Sequence, residues 1–344
     1  MPEISLEEAQ AVHQRALVFD GHNDTPVERV ARGEDPFRWL ERDPAYNVDV
    51  PRMREGGYGG GFFIVGNGPT ANLWATLERT LAQLDRHPDV FRQVRTSSDV
   101  TAARQAGQIA VLLAIEGAGR WLEGRLETLR LLYRLGLRSL GLSHGEGGDE
   151  PHQLQGSPSA FDFCTAADRE RARSQLHGLT SFGAAVLELS NELGVITDLA
   201  HINDRAFYEV LERSRLPVTM SHTAAFAQCP HWRCLTDDQI RALAQSGGVM
   251  GIAFAPMFID RTAPTADRIV DHICHVADLV GIEHVAIGAD YDGLGSLTPV
   301  IPEVSQLPLL TRAMLARGLT EAEVVQVWGG NFLRLLRATI DPSR

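Results

Sequence analysis

The chain has little of what marks several large classes of protein. It has no basic excess. The formal net charge is −12 over 344 residues, so it lacks the basic stripe that nucleic-acid binding needs and any attraction to anionic membranes. No stretch approaches 18 consecutive apolar residues, so no transmembrane helix is expected. The opening MPEISLEEAQAVHQ has neither a basic nor an apolar signal region, so no secretory leader is expected. The four cysteines, Cys164, Cys229, Cys234 and Cys274, are too few and too scattered for a disulfide framework. A reducing, cytoplasmic setting is the simplest reading. Cys229 and Cys234 have no second Cys or His pair at ligand spacing, so they read as small hydrophobes. No low-complexity linker or charge block divides the chain, which reads as one domain over 1–344 with its core at about 15–337.

What is present is a repeating unit. A short apolar or β-branched run is followed by a loop and then by a segment of helical period. Eight such runs stand at 16–19, 61–65, 109–115, 139–143, 195–200, 217–221, 248–254 and 284–289. Between them, Leu73, Leu77, Leu81 and Leu84 share one helical face, as do Leu126, Leu129 and Leu132 before Gly136. Phe182, Val186, Leu189 and Leu193 repeat the pattern before Gly194, and Thr236 with Gln239 has the spacing of a capping box. Strands alternating with helices imply a parallel sheet, and eight units imply a closed (β/α)₈ barrel. An open dinucleotide-binding sheet would carry a glycine fingerprint after its first strand. The residues there are Gly21-His22-Asn23-Asp24. Two polar stretches, 34–49 and 145–175, read as long excursions on strand-to-helix connections, the catalytic face of such a barrel.

The strand ends carry the chemistry. His22 and Asp24 follow the first run, Glu116 the third, His144 the fourth, His201 the fifth, His222 the sixth and Asp290 the eighth. Each alone has a bland reading. A histidine at a strand end is usually a structural hydrogen-bonding group, a Glu after a strand can cap the next helix, and Asp290 and Asp292 can be turn residues. Six strand ends of this kind on one rim is a different matter, because a parallel barrel points them all at one mouth. His22, Asp24, Glu116, His201 and His222 make a nitrogen and carboxylate donor set suited to two zinc ions, with Glu116 able to bridge them through its two oxygens. A shared water or hydroxide then becomes a nucleophile at neutral pH. The other histidines lie on helices, in loops or at a strand start and read as structural or solvated.

With these residues in hand, the chain resembles the membrane (renal-type) dipeptidases, zinc peptidases of the amidohydrolase-like barrels. The motifs are Asp20-Gly21-His22-Asn23-Asp24, Ala114-Ile115-Glu116-Gly117, Gly178-Leu179-Thr180, Asp198-Leu199-Ala200-His201, Ser221-His222-Thr223, Asp290-Tyr291-Asp292-Gly293 and Gly330-Asn331-Phe332-Leu333-Arg334. The resemblance implies that His22 and Asp24 bind one zinc, His201 and His222 the other, and that Glu116 bridges them where many other amidohydrolases use a carboxylated lysine. It implies that His144 steadies the oxyanion, Arg233 grips the dipeptide carboxylate, and Asp290 carries a proton from the bridging water to the leaving amine. The substrate it implies is a small dipeptide, and it allows a homodimer. Departures are Gly145-Glu146-Gly147-Gly148-Asp149, which lacks the asparagines usual there, and Ala289 in place of a common Gly. These bear on substrate choice, and they leave as the alternative another binuclear hydrolase acting on an acylated amino acid, a lactone or an ester. A non-catalytic barrel would be expected to have lost one of the ligands or Asp290, and none is lost.

Overall fold

The structure is a computed structural model and describes residues 4–33, 39–67, 72–148, 152–159 and 165–341. Among them are nine strands: β1 (Val18–Asn23), β2 (Tyr58–Gly66), β3 (Phe91–Gln93), β4 (Ile109–Ile115), β5 (Leu137–Gly141), β6 (Ile196–Asp198), β7 (Thr219–Thr223), β8 (Val249–Ile252) and β9 (Val285–Ile287). All pairings are parallel, in the order β1-β2-β4-β5-β6-β7-β8-β9, with β3 attached to β4 outside the ring. The ring closes just beyond β9. The Asp290 amide donates to the His22 carbonyl at 3.2 Å and the Asp24 amide to the Tyr291 carbonyl at 2.9 Å. The expected (β/α)₈ barrel is therefore present, with one strand more than the apolar runs suggested.

The two faces of each strand serve two cores. On β2, Phe62 and Ile64 join an inner cluster with Phe19, Leu112, Ile196 and Phe332, while Phe63 and Val65 join the layer between sheet and helices. This alternation follows from the period of two along a strand. Gly251 and Gly288 let β8 and its neighbour close on β7. A Cβ at either would lie 1.9 Å or 1.7 Å from the Ser221 carbonyl oxygen.

Helices form where the local signals put them. Leu73–Arg86 and Leu126–Leu135 cover the sheet, the latter ending on Gly136 at φ 107°. Ser181–Leu193 ends on Gly194 at φ 71°, the left-handed conformation glycine adopts without strain. Both arms of the Thr236/Gln239 capping box are made.

Three strands are displaced from the sequence reading. The first runs to Asn23, the fourth spans Leu137–Gly141, and the sixth spans Thr219–Thr223. His22 and His222 therefore lie within strands, not after them, because ladder pairing carries the strand past the end of the apolar run. The 145–175 excursion contains a helix, Ala166–Arg173, with mean hydropathy too low for an apolar stripe to reveal it. Helices Leu6–Arg15 and Ser97–Ala106 were likewise not foreseen. Residues 34–38 and Cys164 lie outside the described residues, and Cys229, Cys234 and Cys274 are free.

Candidate active site

All eight side chains singled out in the sequence converge at the barrel mouth. Glu116 is the centre. It follows β4, its amide donates to the Gly66 carbonyl at 2.8 Å, and the chain turns away through Gly117 at φ 67°. Its carboxylate is buried and faces histidines on both sides. Oε1 lies 2.9 Å from His201 Nε2 and 3.5 Å from His222 Nε2. Oε2 lies 3.4 Å from His144 Nε2 and 3.9 Å from His22 Nε2. His22 Nε2 is 3.1 Å from Asp24 Oδ2, and the other Asp24 oxygen accepts from Asn67 Nδ2 at 2.5 Å. Three groups have donor atoms close enough to share a cation: His22 with Glu116 and His222, Glu116 with His144 and His201, and His22 with Asp24 and Asp290.

The backbone is strained where chemistry is expected. His201, Asp290 and Asp292 have φ of 62°, 62° and 64°, a region that costs a non-glycine residue free energy and persists only where the surroundings impose it. Gly293 must be glycine because the chain passes between two carboxylates. A Cβ there would lie 2.3 Å from Asp24 Oδ2 and 2.4 Å from Asp290 Oδ1.

The electrostatics are those of a cation site. Burial alone would lower the proton affinity of His22, but Asp24, Glu116 and Asp290 outweigh it and lift the pKa to about 10. Burial pushes His201 down to about 3, with Arg233 adding to the effect, and drives His222 well below the usual imidazole value. Burial would raise Glu116, yet His201, His144 and His22 hold it well below the carboxylate range. Burial raises Asp290 to about 8, opposed by His22 and reinforced by Asp24 and Glu116; a cation beside it would press that value back down.

The donor set fits divalent metal. Neutral imidazoles are what a metal needs, and His201 Nε2 and His222 Nε2 face each other at 3.1 Å. His22 Nδ1 and Glu116 Oε1 are buried with no donor or acceptor in hydrogen-bonding geometry. A carboxylated-lysine bridge is excluded, because all 32 basic residues of this chain are arginine. Arg233 lies in the loop after β7, buried, with Nη2 2.9 Å from His222 Nε2.

Supporting residues were not assigned roles from sequence. Asp198 accepts from the Ser221 amide at 2.9 Å and from the Ala200 amide at 3.0 Å. Ser221 Oγ in turn lies 2.9 Å from His222 Nδ1. That hydroxyl is placed to set which ring nitrogen of His222 carries the proton. Asp20 ties β1 to the end of β9 by accepting from the Ala289 amide at 2.7 Å and the His22 amide at 3.3 Å. Asp292 accepts from the Thr25 hydroxyl at 2.5 Å and the Asn47 amide at 2.7 Å. The available signal was an acidic residue inside an apolar strand two or three places before a candidate ligand. The histidines read as structural include His272, which is fully buried between the Ala225 amide and the Ile259 carbonyl.

Fold and donor set together define a metal-dependent hydrolase of the barrel class. Within it, the chain belongs to the membrane dipeptidase family (peptidase family M19), whose model matches residues 6–343, and it is a peptide-bond hydrolase. Among solved structures it is similar to the dipeptidase AC, a metallo peptidase of family M19, at 28% identity and TM-score 0.84 over 94% of this chain and 98% of that one. It is similar also to a metallo peptidase from Rhodobacter sphaeroides liganded with a phosphinate mimic of the dipeptide L-Ala-D-Ala. There the identity is 28%, with TM-score 0.81 over 94% of this chain and 99% of that one. An amidohydrolase from Pseudomonas aeruginosa, at 21% identity and TM-score 0.75 over 96% and 98%, shares the fold. No helix among the described residues is long and apolar enough to cross a membrane.

Proposed function

We propose that this protein is a two-zinc dipeptidase in which His22 and Asp24 hold one ion, His201 and His222 the other, and Glu116 both. The observation that carries the reading is Glu116, whose two buried oxygens each face a different set of histidines. Zinc bound there supplies Lewis acidity toward the scissile carbonyl and acidifies a water. The remaining work falls to the chain. Asp290, at the edge of the cluster and buried, takes the proton of the attacking water and delivers it to the departing amine. His144, the most exposed of the cluster, reaches into the mouth and donates to the carbonyl oxygen as negative charge develops there. Arg233 binds the substrate carboxylate through its planar fork. His222 Nε2 cannot serve Arg233 and a cation together, so loading the site frees the fork for an anion.

The mimic of L-Ala-D-Ala bound by the Rhodobacter sphaeroides relative supports a dipeptide substrate. The test is metal analysis with turnover of a dipeptide library, stereoisomers included, beside N-acyl amino acids, lactones and esters. Zinc-loaded protein that cleaves esters and no dipeptide would refute the reading.

A further inference from the structure

Asn47 stands on the connection between β1 and β2, yet all four of its polar groups bond to the connection that follows β9. Its amide donates to Asp292 Oδ1 at 2.7 Å, and its side-chain oxygen accepts from the Asp292 amide at 3.0 Å. Its Nδ2 donates to the Pro302 carbonyl at 2.9 Å, and its own carbonyl accepts from the Val304 amide at 3.1 Å. The β1–β2 connection is itself anchored. Trp39 is buried against Phe63 and Phe91, with ring centroids 5.5 and 6.1 Å away. Arg52 Nη2 donates to the Asp43 and Tyr46 carbonyls at 2.7 and 2.6 Å. Thr25, on the same connection, sets its hydroxyl 2.5 Å from the second Asp292 oxygen.

We infer that Asn47 is a positioning residue for Asp290: its clasp on Asp292 holds the Asp290–Gly293 turn in the shape that aims the Asp290 carboxyl at the cation cluster. The inference rests on the dipeptidase reading above and on the proton transfer given there to Asp290. The turn does not hold itself. Asp290 and Asp292 both have positive φ, a conformation that persists only where the surroundings impose it. β1 restrains the first half, through the Asp290 amide on the His22 carbonyl and the Asp24 amide on the Tyr291 carbonyl. The second half is held at Asp292 by Asn47 and Thr25. Gly293 threads between the Asp24 and Asp290 carboxylates with no room for a Cβ, so a turn that relaxes at Asp292 shifts the Asp290 carboxyl. A proton donor displaced by about 1 Å from its acceptor loses about a hundredfold in rate.

The experiment compares an amide with its ester in the zinc-supplied protein. As the C–N bond of Ala-Ala breaks, the departing amine needs the proton that Asp290 takes from the attacking water. In the ester analogue alanyl-lactate, which keeps the carboxylate for Arg233, the C–O bond breaks to an alkoxide that can leave first and take its proton from solvent. Asn47→Ala is expected to lower kcat on Ala-Ala about 10–100-fold, with KM and the ester's kcat within about threefold of the parent. Its zinc content by elemental analysis should equal the parent's. In the metal-free protein the Asp292 amide, whose acceptor is gone, should exchange its hydrogen faster. Asp292→Asn still accepts from the Asn47 amide and donates to the Thr25 oxygen, so it should stay near the parent on both substrates. Should Asn47→Ala not fold, Asn47→Ser is expected to show the same split at smaller size. Equal losses on amide and ester mark a merely structural residue and overturn the inference, as does parental turnover of Ala-Ala or unchanged exchange at Asp292. Asp290→Asn is the reference. If it shows no split, the proton role and this inference fail together and dipeptide hydrolysis stands. Absence of Ala-Ala turnover by the parent overturns the dipeptidase reading as well.

Discussion

Ser221 makes the sharpest test of the metal centre because it touches the reaction only through His222. Its hydroxyl stands 2.9 Å from His222 Nδ1, and its amide is held by Asp198. When the hydroxyl oxygen accepts from Nδ1–H, Nε2 keeps its lone pair for a cation. Ser221→Ala removes that oxygen and leaves nearly the same volume. The metal-free protein then loses one hydrogen bond, about 1 kcal/mol, or about 1–2 °C in Tm for a chain of this length. Zinc affinity should fall much further. Loss of the group that orients a ligating histidine costs about 10–100-fold, or about 1.4–2.8 kcal/mol at 1.4 per decade. The assay is competition against a chromogenic chelator, with thermal melts of the metal-free proteins beside it. Unchanged zinc affinity in Ser221→Ala, or a drop in Tm without a drop in affinity, would refute the reasoning.

Other outcomes follow from the same geometry. Glu116→Gln should bind fewer zinc ions than the parent by elemental analysis and lose turnover, since one shared oxygen becomes a donor aimed at an imidazole. Arg233→Lys keeps the charge but not the fork, so KM for dipeptides should rise about 10–100-fold with kcat much less affected. His272 is held neutral by burial, with a folded pKa of about 4 against an ordinary 6.5. A lowered histidine value means that its stabilisation is complete above pH 6.5 and is lost as pH falls toward 4, a loss of about 3 kcal/mol. Melts of the metal-free protein over this window should show it, and His272→Asn should flatten that part of the profile.

Much of the site could be read along the chain. A parallel barrel directs every strand's C-terminal end to one mouth, so the order of apolar runs is enough to bring His22, Glu116, His144, His201, His222 and Asp290 together. The chain also lacks lysine altogether, which by itself removes the other common bridge. Capping residues and glycines marked most helix ends, because those signals act within one turn. Strand limits were less legible, since pairing with a neighbour and not hydropathy decides where a strand stops. That is why His22 and His222 proved to lie inside their strands.

What sequence determined here is local or topological: the alternation of elements, the ligand types and the rim they share. What only the tertiary structure decided is which distant groups meet. Asp198 reaching Ser221, Asp20 tying the first strand to the last, and Arg169 spending its charge on Asp204 all join residues far apart in the chain. Hydropathy cannot report such contacts, because a buried charge and an exposed one have the same letter. Burial sets the cost of each charge and the fold supplies its partner, and those two facts decide which of these side chains face a shared cation site and which hold a neighbouring side chain in place.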